Sequence, residues 1–239
     1  DPVEDTLLKR LVIGAEPHTE ESRPRIEGLF GVKAFNSYGL SEMNGPGVAF
    51  ECEHQTGLHI WEDAFLVEIL DPETLDPVPE GDIGELVMTT LDREAMPLIR
   101  YRTRDLTRWL PGPCPCGRTH RRLDRIAGRS DDMFIIRGCN VFPMQIESVL
   151  MQMPEIGNDY VIVLDTEDGI DVMEIKVEVH KEWFTGDIEA LGRVSRRLAA
   201  RVRDEVLVTP RITLVEPNAL PKAEGKAVRV EDRRAAEEQ

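Results

Sequence analysis

Phe65-Leu66-Val67-Glu68-Ile69-Leu70 and Gly84-Glu85-Leu86-Val87-Met88-Thr89-Thr90 are two β-rich runs, joined by a connection dense in turn formers from Asp71-Pro72-Glu73 to Pro79-Glu80-Gly81-Asp82. β-Branched and apolar side chains suit a pleated, half-buried surface, and clustered Pro, Gly and Asp turn the chain back on itself, so the pair reads as a hairpin or a portion of a small barrel. Outward from this pair the character persists. From Leu7 to about Ile126 the chain is a series of short strands punctuated by Gly and Pro, opening with Leu7-Leu8-Lys9-Arg10-Leu11-Val12-Ile13, with one helix candidate near Thr19 to Leu29. This half is expected to be mostly β.

After Gly128 the pattern changes to longer helices alternating with strands. A domain boundary is placed near residues 128–132, dividing the chain into residues 1–128 and residues 129–239. Pro143 suits the first turn of a helix, and Ile146, Val149, Leu150 and Met153 recur behind it at helical spacing. Met173, Ile175, Val177 and Val179 alternate with Glu174, Lys176 and Glu178, a strand with one face to a core and one to water. Ile188, Leu191, Val194, Leu198, Val202 and Val206 then mark a second helix with arginines opposite, read as solvated surface. Strands at Arg211 to Val215 and Val228 to Val230 complete a small two-layer α+β domain. The fold class is mixed α/β: a β-rich region followed by this smaller domain.

The 239 residues, 41% of them hydrophobic, suffice for one large or two modest cores. A formal charge of −16 argues against nucleic acid, whose binders present a basic face to phosphates. No apolar run approaches the roughly 20 residues that span a bilayer, and Asp1-Pro2-Val3-Glu4-Asp5 lacks the features of a signal peptide, so no membrane partner and a cytoplasmic location are expected. The absence of an initial methionine is read as the mark of a fragment or processed product.

Four separated segments carry candidate chemistry. Gly14-Ala15-Glu16-Pro17 follows the first strand, where a glycine lets backbone approach a flat ligand, although any turn reads the same way. Asn36-Ser37-Tyr38-Gly39-Leu40-Ser41-Glu42 holds an aromatic ring, two hydroxyls and a carboxylate, a set able to stack a base, bond a phosphate and hold magnesium. Its bland alternative is a polar loop around a packed tyrosine. Tyr101-Arg102-Thr103-Arg104-Asp105 ends in an acid able to accept from a ribose diol, and Gly128-Arg129-Ser130-Asp131-Asp132 supplies an arginine able to donate to it; the alternative for both is a surface ion pair. Near the end, Leu220-Pro221-Lys222-Ala223-Glu224-Gly225-Lys226-Ala227-Val228-Arg229 sets a lysine behind a glycine turn, which elsewhere is usually just solvated.

The four cysteines do not form a disulfide scaffold. Cys114-Pro115-Cys116-Gly117 places two sulfurs on a tight turn, and Cys52 lies upstream with His54 and His59 nearby. A third sulfur and an imidazole would complete a tetrahedral structural zinc shell, assigned to Cys52, His59, Cys114 and Cys116 with His54 as substitute ligand. The competing reading is three buried thiols in a β hairpin. Cys139, in a Gly138-Cys139-Asn140 turn, is taken as unrelated.

In this order the segments resemble the motifs of the acyl-adenylating superfamily. Within it, Gly14 to Pro17, Tyr38-Gly39-Leu40-Ser41-Glu42-Met43-Asn44-Gly45-Pro46-Gly47, Gly57-Leu58-His59-Ile60-Trp61-Glu62-Asp63 and Leu220-Pro221 through Arg229 look like phenylacetate–coenzyme A ligases. The resemblance runs from Leu7 to Arg234 and corresponds to the C-terminal half of such an enzyme. It implies that residues 1–128 are the end of the large AMP-binding domain and residues 129–239 a mobile lid. It also implies ATP or AMP, coenzyme A and an aryl acid as small-molecule ligands, magnesium, similar cysteine and histidine ligands, and a homodimer. Residue by residue, Gly14, Ala15, Glu16, Pro17 and Tyr38 would frame the adenine, within a nucleotide set that includes Asn36, Ser37 and Gly39. Ser41 would approach the α-phosphate, Glu42 would bind magnesium, and Asp105 with Arg129 would hold the ribose. Asp131 matches the hinge, and Lys226 the adenylation lysine.

The family's Ser/Thr- and Gly-rich loop for the β- and γ-phosphates, and most of its acid pocket, have no counterpart in this sequence. The expectation is a chain that needs the N-terminal half, in the same or another polypeptide. Two other readings stand beside ligation of phenylacetate to coenzyme A: a related adenylating enzyme with another acid or acceptor, and a non-catalytic zinc-stabilised fragment or subunit of a split ligase.

Overall fold

The computed structural model describes residues 3, 7–15, 22–184, 187–221 and 228–234. It divides the chain into two compact units, Asp1–Asp132 and Met133–Gln239.

The first unit is built on two sheets. Strand β1 (Arg10–Ile13) runs parallel to β2 (Lys33–Leu40), and helix α1 (Ser22–Phe30) belongs to the crossover between them, as a parallel connection requires. The sheet continues antiparallel through β3 (Gly45–Glu51), β4 (Leu58–Ile60), β9 (Arg122–Leu123) and β8 (Trp109–Leu110). The expected hairpin is β5 (Phe65–Leu70) with β6 (Gly84–Thr90), paired in register from Phe65↔Thr90 to Leu70↔Glu85. It lies in an open four-stranded sheet with β7 (Tyr101–Thr107) and β10 (Gly128–Arg129). Tyr38, Val48, Leu58 and Ile60 from the first sheet share one buried cluster with Ile69, Leu86 and Met88 from the second.

The second unit begins with a hairpin, β11 (Phe134–Ile136) and β12 (Cys139–Val141). Its two turn residues, Arg137 and Gly138, both have positive φ, 50° and 78°, the backbone a tight right-twisted hairpin favours. Cys139 therefore starts a strand instead of occupying the turn, and packs against the core. Helix α2 (Pro143–Met151) starts at Pro143, and the Gln145 side chain caps it by accepting from the Phe142 N–H at 3.0 Å. Strands β13 (Ile156–Glu167) and β14 (Ile170–Val179) form the centre of a sheet flanked in parallel by β15 (Arg211–Val215) and β16 (Val230–Asp232). Helix α3 (Ile188–Val206) starts on Asp187, whose carboxylate accepts from the Glu189 and Ala190 N–H groups, both at 3.0 Å. Its buried stripe is Leu198, Val202 and Val206, while Ile188 is 85% exposed, so the apolar period overreaches at the first turn. The last strand sits two residues later than expected, and Val228 is exposed.

Leu150 is fully buried among Ile146, Tyr160, Leu198 and Val202. Leu150→Ala is expected to cost about 2–5 kcal/mol, the range for a large-to-small change that leaves a cavity. Urea melts of the variant against the parent chain read this directly.

Candidate functional site

Gly14 ends β1 directly against β2. A Cβ at this position would fall 2.6 Å from the Ser37 carbonyl oxygen and 2.6 Å from its Oγ, so only glycine lets the two backbones meet. Ser37 Oγ in turn donates to the Ile13 carbonyl at 3.2 Å. Ala15 follows with φ 72°. Glu16 and Pro17, expected to complete this rim, lie outside the described residues.

Alternation along β2 sends Ala34, Asn36 and Tyr38 to the buried face and Phe35 and Ser37 to the other. Asn36 lines a cavity of about 440 Å³ with Glu51, Gln55, Thr56 and Arg122. Tyr38 is buried, and its hydroxyl donates to Asp105 Oδ2 at 2.6 Å. Burial, and then the Asp105 charge, raise the Tyr38 phenol well above its ordinary range. Gly39 abuts the backbone of Gly45 and Pro46 too closely for any Cβ. The following single turn, Ser41–Met43, buries Met43 and leaves Ser41 and Glu42 exposed, and Asn44 closes it in a left-handed conformation, φ 68°. The Arg93 guanidinium donates to the Glu42 carbonyl. Burial, and then the nearby Glu42 charge, raise the Tyr101 phenol above its ordinary range.

Asp105 and Arg129 face each other as partners in the β7–β10 pairing. Arg129 Nη1 donates to Asp105 Oδ1 at 3.3 Å, while Nε and Nη2 grip Asp131 at 2.8 and 2.7 Å. Burial would raise the Asp131 carboxyl, but the hydrogen bond and charge of Arg129 outweigh it and hold it below its usual range. Tyr38, Asp105, Arg129 and Asp131 thus form one continuous chain of hydrogen bonds. Behind it lies Glu85, 0% exposed, which accepts from Arg102 Nε and Nη2 at 2.9 and 2.6 Å and from Ser130 Oγ at 3.3 Å, with Arg104 Nη1 3.7 Å away. Burial alone would raise the Glu85 carboxyl; Arg102 and Arg104 overcome that and keep it low. Arg104 reaches this place with φ 68°, a left-handed backbone that non-glycine residues adopt at a cost.

The second cluster is the cysteine group. The ligand atoms of Cys52, His59, Cys114 and Cys116 all lie within 4.8 Å of one another. Cys52 Sγ is 3.6 Å from Cys114 Sγ, and Cys116 Sγ is 3.5 Å from His59 Nε2. Zinc–sulfur and zinc–nitrogen bonds of about 2.3 and 2.0 Å in a tetrahedron give edges of about 3.8 and 3.5 Å, so the donor set fits that ion. His59 Nδ1 lies 3.3 Å from the His120 carbonyl, an outer contact that leaves Nε2 free to ligate. His54 is not among the four. Turns bring the sulfurs in: Gln55 N–H to Cys52 O at 3.0 Å and Gly117 N–H to Cys114 O at 3.1 Å. Burial pushes the Cys52 thiol up to about 11 and lowers the His59 imidazole, whereas the Arg118 backbone N–H draws Cys116 down to about 7.

Lys226 lies outside the described residues, which resume at Val228 after Pro221. Sequence reasoning gave Tyr101, Glu85 and His120 no role. Tyr101 opens the same strand as Asp105, but the register shift and the left-handed Arg104 between them break strict alternation, so period-two reading does not reach it. Nothing in the sequence singles out Glu85, which looks like any polar residue in a hairpin, or His120, which contributes a backbone oxygen.

Residues 138–234 match the family described as AMP-binding enzyme C-terminal domain. The phenylacetate-coenzyme A ligase of Thermus thermophilus is 48% identical over 239 residues, 95% of this chain and 54% of that protein. The enzyme of the same name from Escherichia coli is 45% identical over 224 residues, 93% of this chain and 51% of its own length. Among solved structures, a 2-hydroxyisobutyryl-CoA ligase in the postadenylation state with R3-HIB-AMP matches with a TM-score of 0.86 and 34% identity over 94% of this chain and 48% of that one. The chain spans about half the length of the curated relatives it matches. Along nearly all of its own length, it belongs to the phenylacetate–coenzyme A ligase family of the acyl-adenylating superfamily.

Proposed function

We propose that the enzyme to which this half belongs ligates phenylacetate, or a close aryl acid, to coenzyme A in the cytoplasm, through an acyl-adenylate formed from ATP. The observation that carries the reading is the continuous contact from Tyr38 through Asp105 and Arg129 to Asp131. It joins an aromatic ring, an acceptor for a ribose diol and the linker between two units. Gly14 and Ala15 form the near edge of the adenine site, with Glu16 and Pro17 completing it. Asp105 accepts from the ribose hydroxyls while Arg129 holds its carboxylate in place. Ser41, exposed on its turn, donates toward the α-phosphate.

Glu42 is exposed, with its backbone carbonyl held by Arg93 and its carboxylate near the Tyr101 phenol, which suits the single carboxylate that magnesium commonly takes from protein. When bound, the ion offsets phosphate charge as the acid attacks. Lys226 donates to the same developing charge. A cation placed in advance is effective here because two anions must approach one another. Asp131 is the pivot about which the second unit exchanges its adenylating face for a thiol-admitting one, protecting a readily hydrolysed intermediate. Cys52, His59, Cys114 and Cys116 hold a structural zinc.

Calorimetric titration of the chain with AMP, alongside Asp105→Ala, tests the nucleotide half-site. Saturable binding by the parent chain, weakened about tenfold to a hundredfold in the variant, is expected from losing hydrogen bonds to a charged group. Equal affinity in both proteins, each folded by circular dichroism, would remove Asp105 from the ribose site.

A further inference from the structure

Strands β6 and β7 lose their register beside the candidate ribose acceptor. Glu85 pairs with Leu106 and Val87 with Arg102, so Thr103, Arg104 and Asp105 together stand opposite the single residue Leu86. Such an excess of residues on one strand bends it and re-aims its side chains. It also interrupts the ladder, so the backbone groups it releases need other partners. Those partners are present. Thr103 is buried, and its hydroxyl donates to the Leu86 carbonyl at 2.9 Å and accepts the Asp105 N–H at 3.1 Å. The Arg104 carbonyl accepts the Ser130 N–H at 2.7 Å, and the Thr103 carbonyl accepts from Arg129 Nη1 at 3.3 Å.

Glu85 closes the arrangement from the partner strand. Its carboxylate takes hydrogen bonds from Arg102, the residue before the bulge, and from Ser130, and it lies 3.7 Å from Arg104 at the bulge's centre. Arg102 Nη2 is itself anchored on the Pro72 carbonyl at 2.8 Å. Burying a carboxylate is costly unless charged donors surround it, and a plain hairpin has no need of one. Here the donors that offset the cost come from the bulge, from its flank and from the chain that follows β10. Asp105 leaves this bulge partly exposed, its carboxylate between the Tyr38 hydroxyl and Arg129. Resting on the assignment of Asp105 to the ribose, we propose that the bulge is the device that aims this carboxylate, and that Glu85 and Thr103 are positioning residues that set the enzyme's selection of a nucleotide with an intact ribose diol.

The test uses the complete ligase and compares ATP with 2′,3′-dideoxyATP, as kcat/KM for adenylate formation. Losing hydrogen bonds to a charged group costs about tenfold to a hundredfold, so the parent should favour ATP by about that factor and Asp105→Ala should lose the preference. Glu85→Gln keeps the shape but withdraws the charge facing Arg102 and Arg104; Thr103→Val keeps the shape but withdraws the hydroxyl. Each should cut the preference for ATP by about tenfold, through a lower kcat/KM for ATP with dideoxyATP used nearly as before. Thr103→Ser restores the hydroxyl and should restore the preference. Residues that served folding alone would slow both nucleotides equally, and a preference held at the parent level in Glu85→Gln overturns the proposal. Should Glu85→Gln fail to fold by circular dichroism, Thr103→Val against Thr103→Ser decides by the same criterion. Asp105→Ala separates the two ideas. If it discriminates as the parent does, the ribose assignment fails; if it loses discrimination while the folded Glu85 and Thr103 variants keep it, positioning alone fails.

Discussion

In the complete ligase, Lys226→Ala should slow adenylate formation by about 10²–10³-fold, the usual consequence of removing one preorganised stabiliser of transition-state charge, while thioester formation from supplied adenylate continues. The asymmetry is the informative feature. Attack of a carboxylate on the α-phosphate concentrates negative charge, and an ammonium contributes only while it lies against that charge. Thioester formation displaces AMP from an acyl group already activated. A lysine that served general folding would depress both steps together. Separate assays of pyrophosphate release and of thioester from the synthetic adenylate distinguish these outcomes, and equal loss of both would sink the assignment.

Removing the metal from the cysteine cluster should have the largest effect on stability. Structural zinc contributes about 10–16 kcal/mol of apparent binding energy in small zinc peptides, where it is nearly the whole of folding. Here Leu58, Ile60 and Leu123, all nearly inaccessible, form a core beside the ligands, so the unit has other support. Cys114→Ser, or exhaustive chelation, is expected to cost several kcal/mol and lower Tm by about 10 °C or more. Protein prepared without chelator should carry one zinc per chain by elemental analysis. Acid should favour release, because thiolates and neutral imidazole must be kept free of protons to ligate. A metal ratio near zero would leave two buried thiols, a half-buried third and a histidine with no ion to order them.

Much of this was legible from residue order because local chemistry and tertiary structure agree. Phe65–Leu70 and Gly84–Thr90 are strands at their expected limits, since turn formers bound both. Pro143 opens a helix because its missing N–H is one that a first turn leaves unpaired anyway. Asp105 and Arg129 meet because β7 and β10 pair across 24 residues of sequence, a closeness that spacing alone cannot reveal. The alternation that correctly buried Met173, Ile175 and Val177 failed at Glu178, where a later turn of chain supplied two donors.

Arg104 places two selective pressures in opposition. Its positive φ makes glycine the residue of lowest backbone cost there, by about 1–2 kcal/mol for a left-handed conformation. Glycine would also withdraw one of the two guanidinium charges facing the fully buried Glu85. A population of this enzyme drifting under thermal selection would be drawn toward glycine at 104, and one drifting under demand for a tightly held Asp105 strand would be drawn back to arginine. Arg104→Gly therefore relaxes the backbone and loosens the hold on Glu85 in a single change.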